Sequence, residues 1–441
     1  MDNTRKVAVD ILNSIVKNNS YSNIALNAKL KKSKLEDRDK ALVTEIVYGT
    51  LKYMYTIDKI LSSFLRTPID KQDVTLLNIL RITIYQILYL TKIPEFAAVN
   101  EAVELAKLKS TSSSKLVNGV LRNYLRNKSK KYYNQESDIE GLSIKYSYEP
   151  WMVKMFSSQY GEKDCERILS GLNSVPNVTI RINSLRISFD EAFDKLKEYG
   201  YDAEEGIICA EAITIIKGRS IEQNPLFKEG LATVQDESAM LVAPTMDISE
   251  DLVVLDLCSA PGGKTTHISE LMNNTGRIYA FDIHKDKLPL IKQNADRLGI
   301  TNICYDVMDA AVYNDKLKDS ADRVLIDVPC SGLGIIRKKP EIKWSKNLKG
   351  LKDIVKIQRD IMANAAFYVK SGGILLYSTC TLNKEENEEN IKWFLEKFQN
   401  FKIESVSYGN ADNIIYSDFG ATILPNEHMD GFFIAKLKRL R

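Results

Sequence analysis

From Leu241 onward short apolar runs alternate with helical stretches, and the segment Val253 to His267, VVLDLCSAPGGKTTH, sets the type. An apolar strand that ends in an acid, turns through glycines and opens a helix is the first unit of a doubly wound parallel sheet. Leu252 to Leu257, Arg277 to Phe281, Asn302 to Tyr305, Asp322 to Ile326 and Gly373 to Tyr377 are the candidate strands. Helical stretches separate them, so the pattern predicts a Rossmann-like α/β domain over residues 241–441. In such a sheet, ligands sit outside the carboxyl ends of the strands.

At 441 residues the chain is long for one domain, and two further regions precede this one. Residues 1–140 read as an all-α bundle. Leu77, Leu80, Ile84 and Ile87 repeat at helical spacing, while Ile79, Ile82 and Leu88 make the same segment apolar on nearly every side, as in a central helix. Ala41 to Tyr55 and Ala97 to Leu108 carry similar periodicity, and the bundle is expected to close near Leu125. Residues 141–240 turn mixed from about Ser147. Asn177 to Ile182, Ala212 to Ile216 and Leu231 to Val234 look like strands, and Ser188 with Glu191 forms a capping box ahead of a helix through Tyr199. A small α+β module is expected there.

The longest apolar segment, Leu76 to Leu90, contains Arg81, Thr83 and Gln86 and is too short to span a bilayer. Asp10 interrupts any signal-peptide core. Six cysteines and three histidines lack a C-x-x-C or H-x-x-x-H pair, which speaks against structural zinc and against a disulfide framework. The chain is expected to be cytoplasmic, monomeric and metal-free. Lys plus Arg (61) barely exceed Asp plus Glu (58), so any nucleic-acid surface must come from clusters. One runs from Lys107 to Lys131 with no acid; the other runs from Arg337 to Lys356. A solvated helix face and a phosphate-binding face are both open for either stretch.

Gly263-Lys264-Thr265 imitates the end of a P-loop, but that loop needs glycine where Cys258 stands. A turn that seats a less charged nucleoside cofactor fits better, with Cys258, Ser259, Ala260, Pro261, Gly262, Gly263 and Lys264 as candidate contacts. Asp282, Asp309 and Asp327 follow three successive candidate strands, and Asp282 is placed to meet ribose hydroxyls. A lone cysteine is usually a small hydrophobe, and Cys165, Cys209 and Cys304 stay under that reading. Cys330 in DVPC and Cys380 in YSTCT differ, because both stand at carboxyl ends of strands bordering the crevice.

CSAPGGKTTH, DVPCSGLG with RKKPEIKW after it, YSTCT and DGFF together resemble the Nop/Sun family of RNA cytosine-5 methyltransferases. RIN at Arg181 and VQD at Val234 resemble the segment that precedes that family's catalytic domain. Asp37-Arg38, LVTEIVYGTL at Leu42 and VNGVLR at Val117 resemble the NusB-like helical domain of the RsmB (Sun/Fmu) branch, so the likeness covers nearly the whole chain. The resemblance implies S-adenosylmethionine (SAM) as cofactor and a cytidine of 16S ribosomal RNA as substrate. It also implies that the 1–140 and 141–240 regions bind RNA. Cys380 is then the nucleophile, and Cys330 assists product release. The cofactor loop maps to Cys258 through Lys264, with Asp282, Asp309 and Asp327 as further contacts. Carbon 5 of cytosine is too electron-poor to attack a sulfonium methyl; a thiolate adding at carbon 6 makes it an enamine that can. Asp327 stands where it can stabilise the charge on the ring's amidine edge. Two rival readings remain: an RNA-binding, antitermination-type scaffold with a degenerate methyltransferase domain, and a DNA-type enzyme whose nucleophile is Cys330.

Overall fold

The computed structural model describes residues 4–18, 20–128 and 138–440. The chain divides into two compact units, residues 1–173 with 336–345, and residues 174–335 with 346–441.

The first unit is helical. Its central helix, Val74–Tyr89, is capped by Asp73, whose side chain accepts from the Leu76 N–H at 3.0 Å, and it is buried on all sides from Leu77 to Gln86. The polar residues that broke the apolar run are satisfied inside the bundle. Arg81 donates to both carboxylate oxygens of Asp58, at 2.8 and 2.6 Å, which offsets the cost of burying its charge. Gly49, on the helix Asp37–Lys52, leaves the space that the Tyr85 ring fills; a Cβ there would lie 1.9 Å from that ring. Helices continue past Arg126 through Ile139–Tyr146 and the stretch Pro150–Gly171, which breaks at Gly161. Among the described residues no helix is long and apolar enough to cross a membrane.

The unit also takes in residues 336–345. There Lys343 is fully buried, and its Nζ donates to the carbonyls of Lys52 and Ser147, both at 3.0 Å, and to Asn173 Oδ1 at 2.8 Å. Burial, with Lys52 nearby, drives its pKa well below the ordinary lysine range. Trp344 Nε1 donates to the Leu51 carbonyl at 2.8 Å. Of the second basic stretch, then, Lys343 is an internal strut and cannot meet phosphate.

The second unit contains two sheets. β1 (Val178–Ile182), β2 (Asp202–Glu205), β3 (Ala212–Lys217) and β4 (Ala232–Val234) form an antiparallel sheet in the order β2-β3-β1-β4. The helix Phe189–Glu198 packs on it, capped as the sequence suggests by Ser188, which accepts from the Glu191 N–H at 3.3 Å. The edge strand β2 was hidden because DAEE has no apolar alternation.

The larger sheet holds β5 (Val253–Asp256), β6 (Arg277–Asp282), β7 (Ile303–Val307), β8 (Ala321–Asp327) and β9 (Val369–Thr379), all parallel, in the order β9-β8-β5-β6-β7. These are the five expected strands, and the order reverses between β5 and β8. The sheet is mixed, however. β10 (Phe401–Glu404), β11 (Ile414–Ser417), β12 (Gly420–Ile423) and β13 (Phe432–Arg439) extend it antiparallel beyond β9, with β13 paired directly to β9. β13 covers an edge that a five-stranded parallel sheet would leave unpaired.

Candidate active site

The switch point between β5 and β8 opens a cleft lined by Asp256, the loop residues Cys258 to Pro261, Gly263, Lys264 and Asp327, with Gln235 and Ala239 opposite. Gly262 adopts φ of 100°, a conformation that favours glycine, and sits against Ile291 rather than facing the cleft. At Gly263 an added Cβ would meet nothing within 4 Å, so the backbone there is open to a ligand. The helix Gly263–Leu271 begins at this point, with first-turn N–H groups that have no partner within the helix.

Each strand-end acid has its own setting. Asp282 is nearly buried and accepts from the Ala260 N–H at 3.3 Å and the His284 N–H at 2.9 Å, so it also shapes the loop from Cys258 to Lys264. Asp309 is exposed and caps the Ala311 N–H at 3.0 Å. Asp327 is held by Lys264 Nζ at 2.7 Å on one oxygen and by Ser378 Oγ at 2.8 Å on the other. Burial alone would lower the Lys264 pKa, but the Asp327 carboxylate outweighs it and the pKa is raised, with Cys380 adding to the effect. Burial pushes the Cys258 thiol well above the ordinary range, and the Asp256, Asp327, Asp282 and Asp309 carboxylates push the same way, so all four acids converge on this loop.

Asp256 went unassigned from sequence, although it ends its strand just as Asp282 and Asp327 end theirs. It is buried, one oxygen accepts from Thr265 Oγ1 at 2.7 Å, and the other has no hydrogen-bond partner. Burial raises its pKa to about 7.

The two cysteines meet. Cys330 Sγ and Cys380 Sγ are 3.3 Å apart. The hydrogen bond with Cys380, then burial, drives the Cys330 thiol well above the ordinary thiol range. A buried network holds their loops side by side. Ser331 Oγ and Thr381 Oγ1 are 2.6 Å apart, and fully buried Glu386 accepts from the Ser331 N–H at 2.8 Å, Gln358 Nε2 at 3.0 Å and Asn383 Nδ2 at 3.1 Å. Asn387 Nδ2 donates to the Thr381 carbonyl at 3.0 Å. Sequence reading missed this network because NKEENEEN looks like a solvated charge run. The DGFF segment closes the site: the Gly431 N–H donates to the Gly334 carbonyl, the Gly334 N–H donates to the Cys380 carbonyl, and Lys264 stands over the Phe432 ring. Gly334 and Gly431 pack too closely for a Cβ on either.

A Rossmann-like sheet with a loop-lined cleft at its switch point is an architecture that seats a nucleoside cofactor. Comparison with known proteins agrees. The model of the 16S rRNA methyltransferase RsmB/F family matches residues 243–438, that of the NusB family residues 2–126, and that of the RsmF/B-like ferredoxin-like domain residues 148–222. The probable ribosomal RNA small subunit methyltransferase B of Bacillus subtilis is 36% identical, over 99% of this chain and 98% of its own. The ribosomal RNA small subunit methyltransferase B of Shewanella oneidensis is 30% identical over 99% of each. The crystal structure of PH0851 superposes with a TM-score of 0.84 at 27% identity, over 100% of this chain and 99% of that one. That of NSun6 from Pyrococcus horikoshii with SFG gives 0.59 at 25% identity, over 66% of this chain and 98% of that one. The chain belongs to the 16S rRNA methyltransferase RsmB/F family.

Proposed function

We propose that this protein methylates carbon 5 of a cytidine in small-subunit ribosomal RNA, using SAM as methyl donor and Cys380 as nucleophile. The observation that carries the reading is the pairing of Cys330 and Cys380 at 3.3 Å beside the Asp327–Lys264 pair. A methyltransferase acting directly on a nucleophilic nitrogen or oxygen needs no thiol; attack by carbon 5 of a pyrimidine needs one. The small-subunit RNA substrate rests on the relatives' named activity.

The cleft fits SAM. An open backbone at Gly263 leaves room for it, the unpartnered oxygen of Asp256 offers an acceptor for an ammonium, and Asp282 has lone pairs left for ribose hydroxyls. Bound there, SAM supplies an electrophilic methyl group. The Cys330 thiol in contact at 3.3 Å can donate to a Cys380 thiolate, and Lys264 adds positive charge nearby, so both favour that thiolate. Cys380 adds to carbon 6 of the ring. Asp327, fixed by Lys264 and Ser378, accepts from the exocyclic amine and steadies the charge that develops on that edge. Once carbon 5 carries the methyl, its proton must leave so that the Cys380 sulfur is expelled, and Cys330 is the group beside that sulfur which assists.

The two cysteine variants test this. Cys380→Ala should transfer no methyl from labelled SAM to RNA. Cys330→Ala should accumulate a denaturation-resistant protein–RNA adduct through Cys380, absent from the double variant. An adduct that persists in Cys380→Ala but not in Cys330→Ala would favour the DNA-type arrangement. No methyl transfer and no adduct in any form, wild type included, would favour the scaffold reading.

A further inference from the structure

Cys330 and Cys380 are both reduced, both partly exposed and held sulfur to sulfur. An S–S bond is ~2.05 Å long, so sulfurs 3.3 Å apart stand little more than an ångström from bonding distance. The backbones on which they stand already run together. β8 and β9 are parallel neighbours with Asp327 opposite Ser378, and the Val328 N–H donates to the Ser378 carbonyl at 3.2 Å. The residues just after the two cysteines are joined through the Ser331 and Thr381 hydroxyls. The two cysteines thus stand between a backbone bond on one side, Val328 to Ser378, and a hydroxyl pair on the other, Ser331 with Thr381. A second requirement is one sulfur with thiolate character beside a resolving thiol. Lys264 supplies positive charge near Cys380, and Cys330 is the thiol in contact.

We propose that Cys330 and Cys380 are a reversible oxidation site, in which a peroxide closes them to a disulfide that disables the enzyme and shields Cys380 from irreversible damage. In the first step the Cys380 thiolate attacks one peroxide oxygen, its sulfur is oxidised to a sulfenic acid, and the other oxygen leaves as water after taking up a proton. Cys330 then attacks that sulfenyl sulfur, the S–S bond forms, and the sulfenic oxygen departs as a second water. The net change is two thiols and one peroxide to one disulfide and two waters. A dithiol reverses it by exchange. This chemistry depends on the sulfur geometry and not on which nucleic acid the protein modifies, so its failure would leave the methyltransferase reading standing.

The test treats the full-length protein with a few equivalents of hydrogen peroxide, blocks remaining thiols with iodoacetamide and maps peptides by mass spectrometry. The expected product is a peptide pair joined through Cys330 and Cys380 and released by dithiothreitol, with Cys165, Cys209, Cys258 and Cys304 still alkylatable after unfolding. In Cys330→Ala the same treatment should carry Cys380 to sulfinic acid, a gain of two oxygens that dithiothreitol does not reverse. Recovery of both cysteines separately, whether alkylated or as sulfinic acids, overturns the proposal, as does a disulfide through any other cysteine. Equal overoxidation of Cys380 with and without Cys330 overturns the shielding role.

Discussion

Arg181 clamps Glu270 through two parallel bonds, Nε to one carboxylate oxygen at 2.9 Å and Nη2 to the other at 2.8 Å, with both side chains buried. The same guanidinium donates to the Gly263 carbonyl at 2.9 Å and to Thr266 Oγ1 at 3.1 Å. One residue of the small sheet thus fixes the start of the helix that follows the Cys258–Gly262 loop. Removing one partner of a buried pair strands the other charge, which costs about 3–5 kcal/mol. Arg181→Met should therefore destabilise the protein by that order in urea denaturation and weaken SAM binding in calorimetry. Arg181→Lys, which cannot make the bidentate contact, should recover only part of either loss. Unchanged SAM affinity in a folded Arg181→Met protein would show that the clamp is purely structural.

Glu386 sits in a buried network with all its contacts made by neutral donors. Glu386→Gln turns one acceptor into a donor and faces it toward an N–H, leaving buried groups unsatisfied at about 1–3 kcal/mol. Because Glu386 holds the residue after Cys330, the expected signature is a kcat lowered by roughly tenfold or more, equivalent to ~1.4 kcal/mol, with the Kd for SAM unchanged. A matching fall in SAM affinity would place the effect in the cofactor loop instead.

The parallel strands and the acids and cysteines at their ends were legible because strands buried on both faces read as apolar runs, and because those residues follow them directly. Asp282, Asp327, Cys330 and Cys380 could be named from their position after a strand. Asp256 was passed over although it carries the same signal, since it stood inside the motif used to find the loop. The Glu386 network was not legible, because its meaning lies in contacts between Ser331, Gln358, Asn383 and Glu386 that are distant in sequence. β10 to β13 were missed for a related reason: antiparallel strands appended to a parallel sheet follow no βα repeat. Lys343 looked like one more exposed lysine in a basic stretch, and only its acceptors reveal a strut.

Asp256 gives the unliganded protein a pH dependence of definite sign. Its folded pKa of about 7 lies above the ordinary 3.8, so the folded state holds a proton that the unfolded state has lost between those values. Its contribution to stability is therefore fully present below the unfolded pKa and is lost as pH rises through the folded one. The difference is on the order of 4 kcal/mol by the unit conversion of ~1.4 kcal/mol per pH unit. Asp256→Asn cannot titrate, so its stability relative to wild type should improve steadily between pH 4 and pH 7 and then level off. Urea denaturation at several pH values measures this. A difference that stays flat would mean that Asp256 is ionised in the folded protein throughout.

Asp282 shapes the loop as well as offering an acceptor, so alanine confounds two effects. Asp282→Asn keeps one oxygen acceptor and removes the charge. A charge-assisted bond to a hydroxyl exceeds a neutral one by about 1 kcal/mol. SAM affinity should fall roughly tenfold in Asp282→Asn and further in Asp282→Ala, while RNA affinity changes little in either. Calorimetry and filter binding separate the two, and equal SAM affinity for Asn and wild type would remove Asp282 from the cofactor's contacts.

The basic stretch from Lys107 narrows to a stripe. Lys107 pairs with Glu104, Lys109 with Asp73 and Lys128 with Glu95, whereas Lys130 and Lys131 lie outside the described residues. Lys115, Arg122 and Arg126 remain exposed on the helix Thr111–Arg126. Their spacings of seven and four residues put them on one face, the side of the helix opposite its buried Val117, Val120, Leu121 and Tyr124 contacts being otherwise polar. Within the second stretch, Lys349, Lys352 and Lys356 line a face of the helix Leu348–Tyr368 in the same way. Each phosphate contact contributes about 0.7–0.9 to the slope of log K against log salt. Replacing Lys115, Arg122 and Arg126 together by glutamine should weaken RNA binding at 50 mM salt and flatten that slope by about 2 to 3. If the stripe holds substrate and takes no part in the chemistry, methylation of RNA at saturating concentration should survive. A weaker complex with an unchanged salt slope would mean that the three side chains stabilise the helix without touching phosphate.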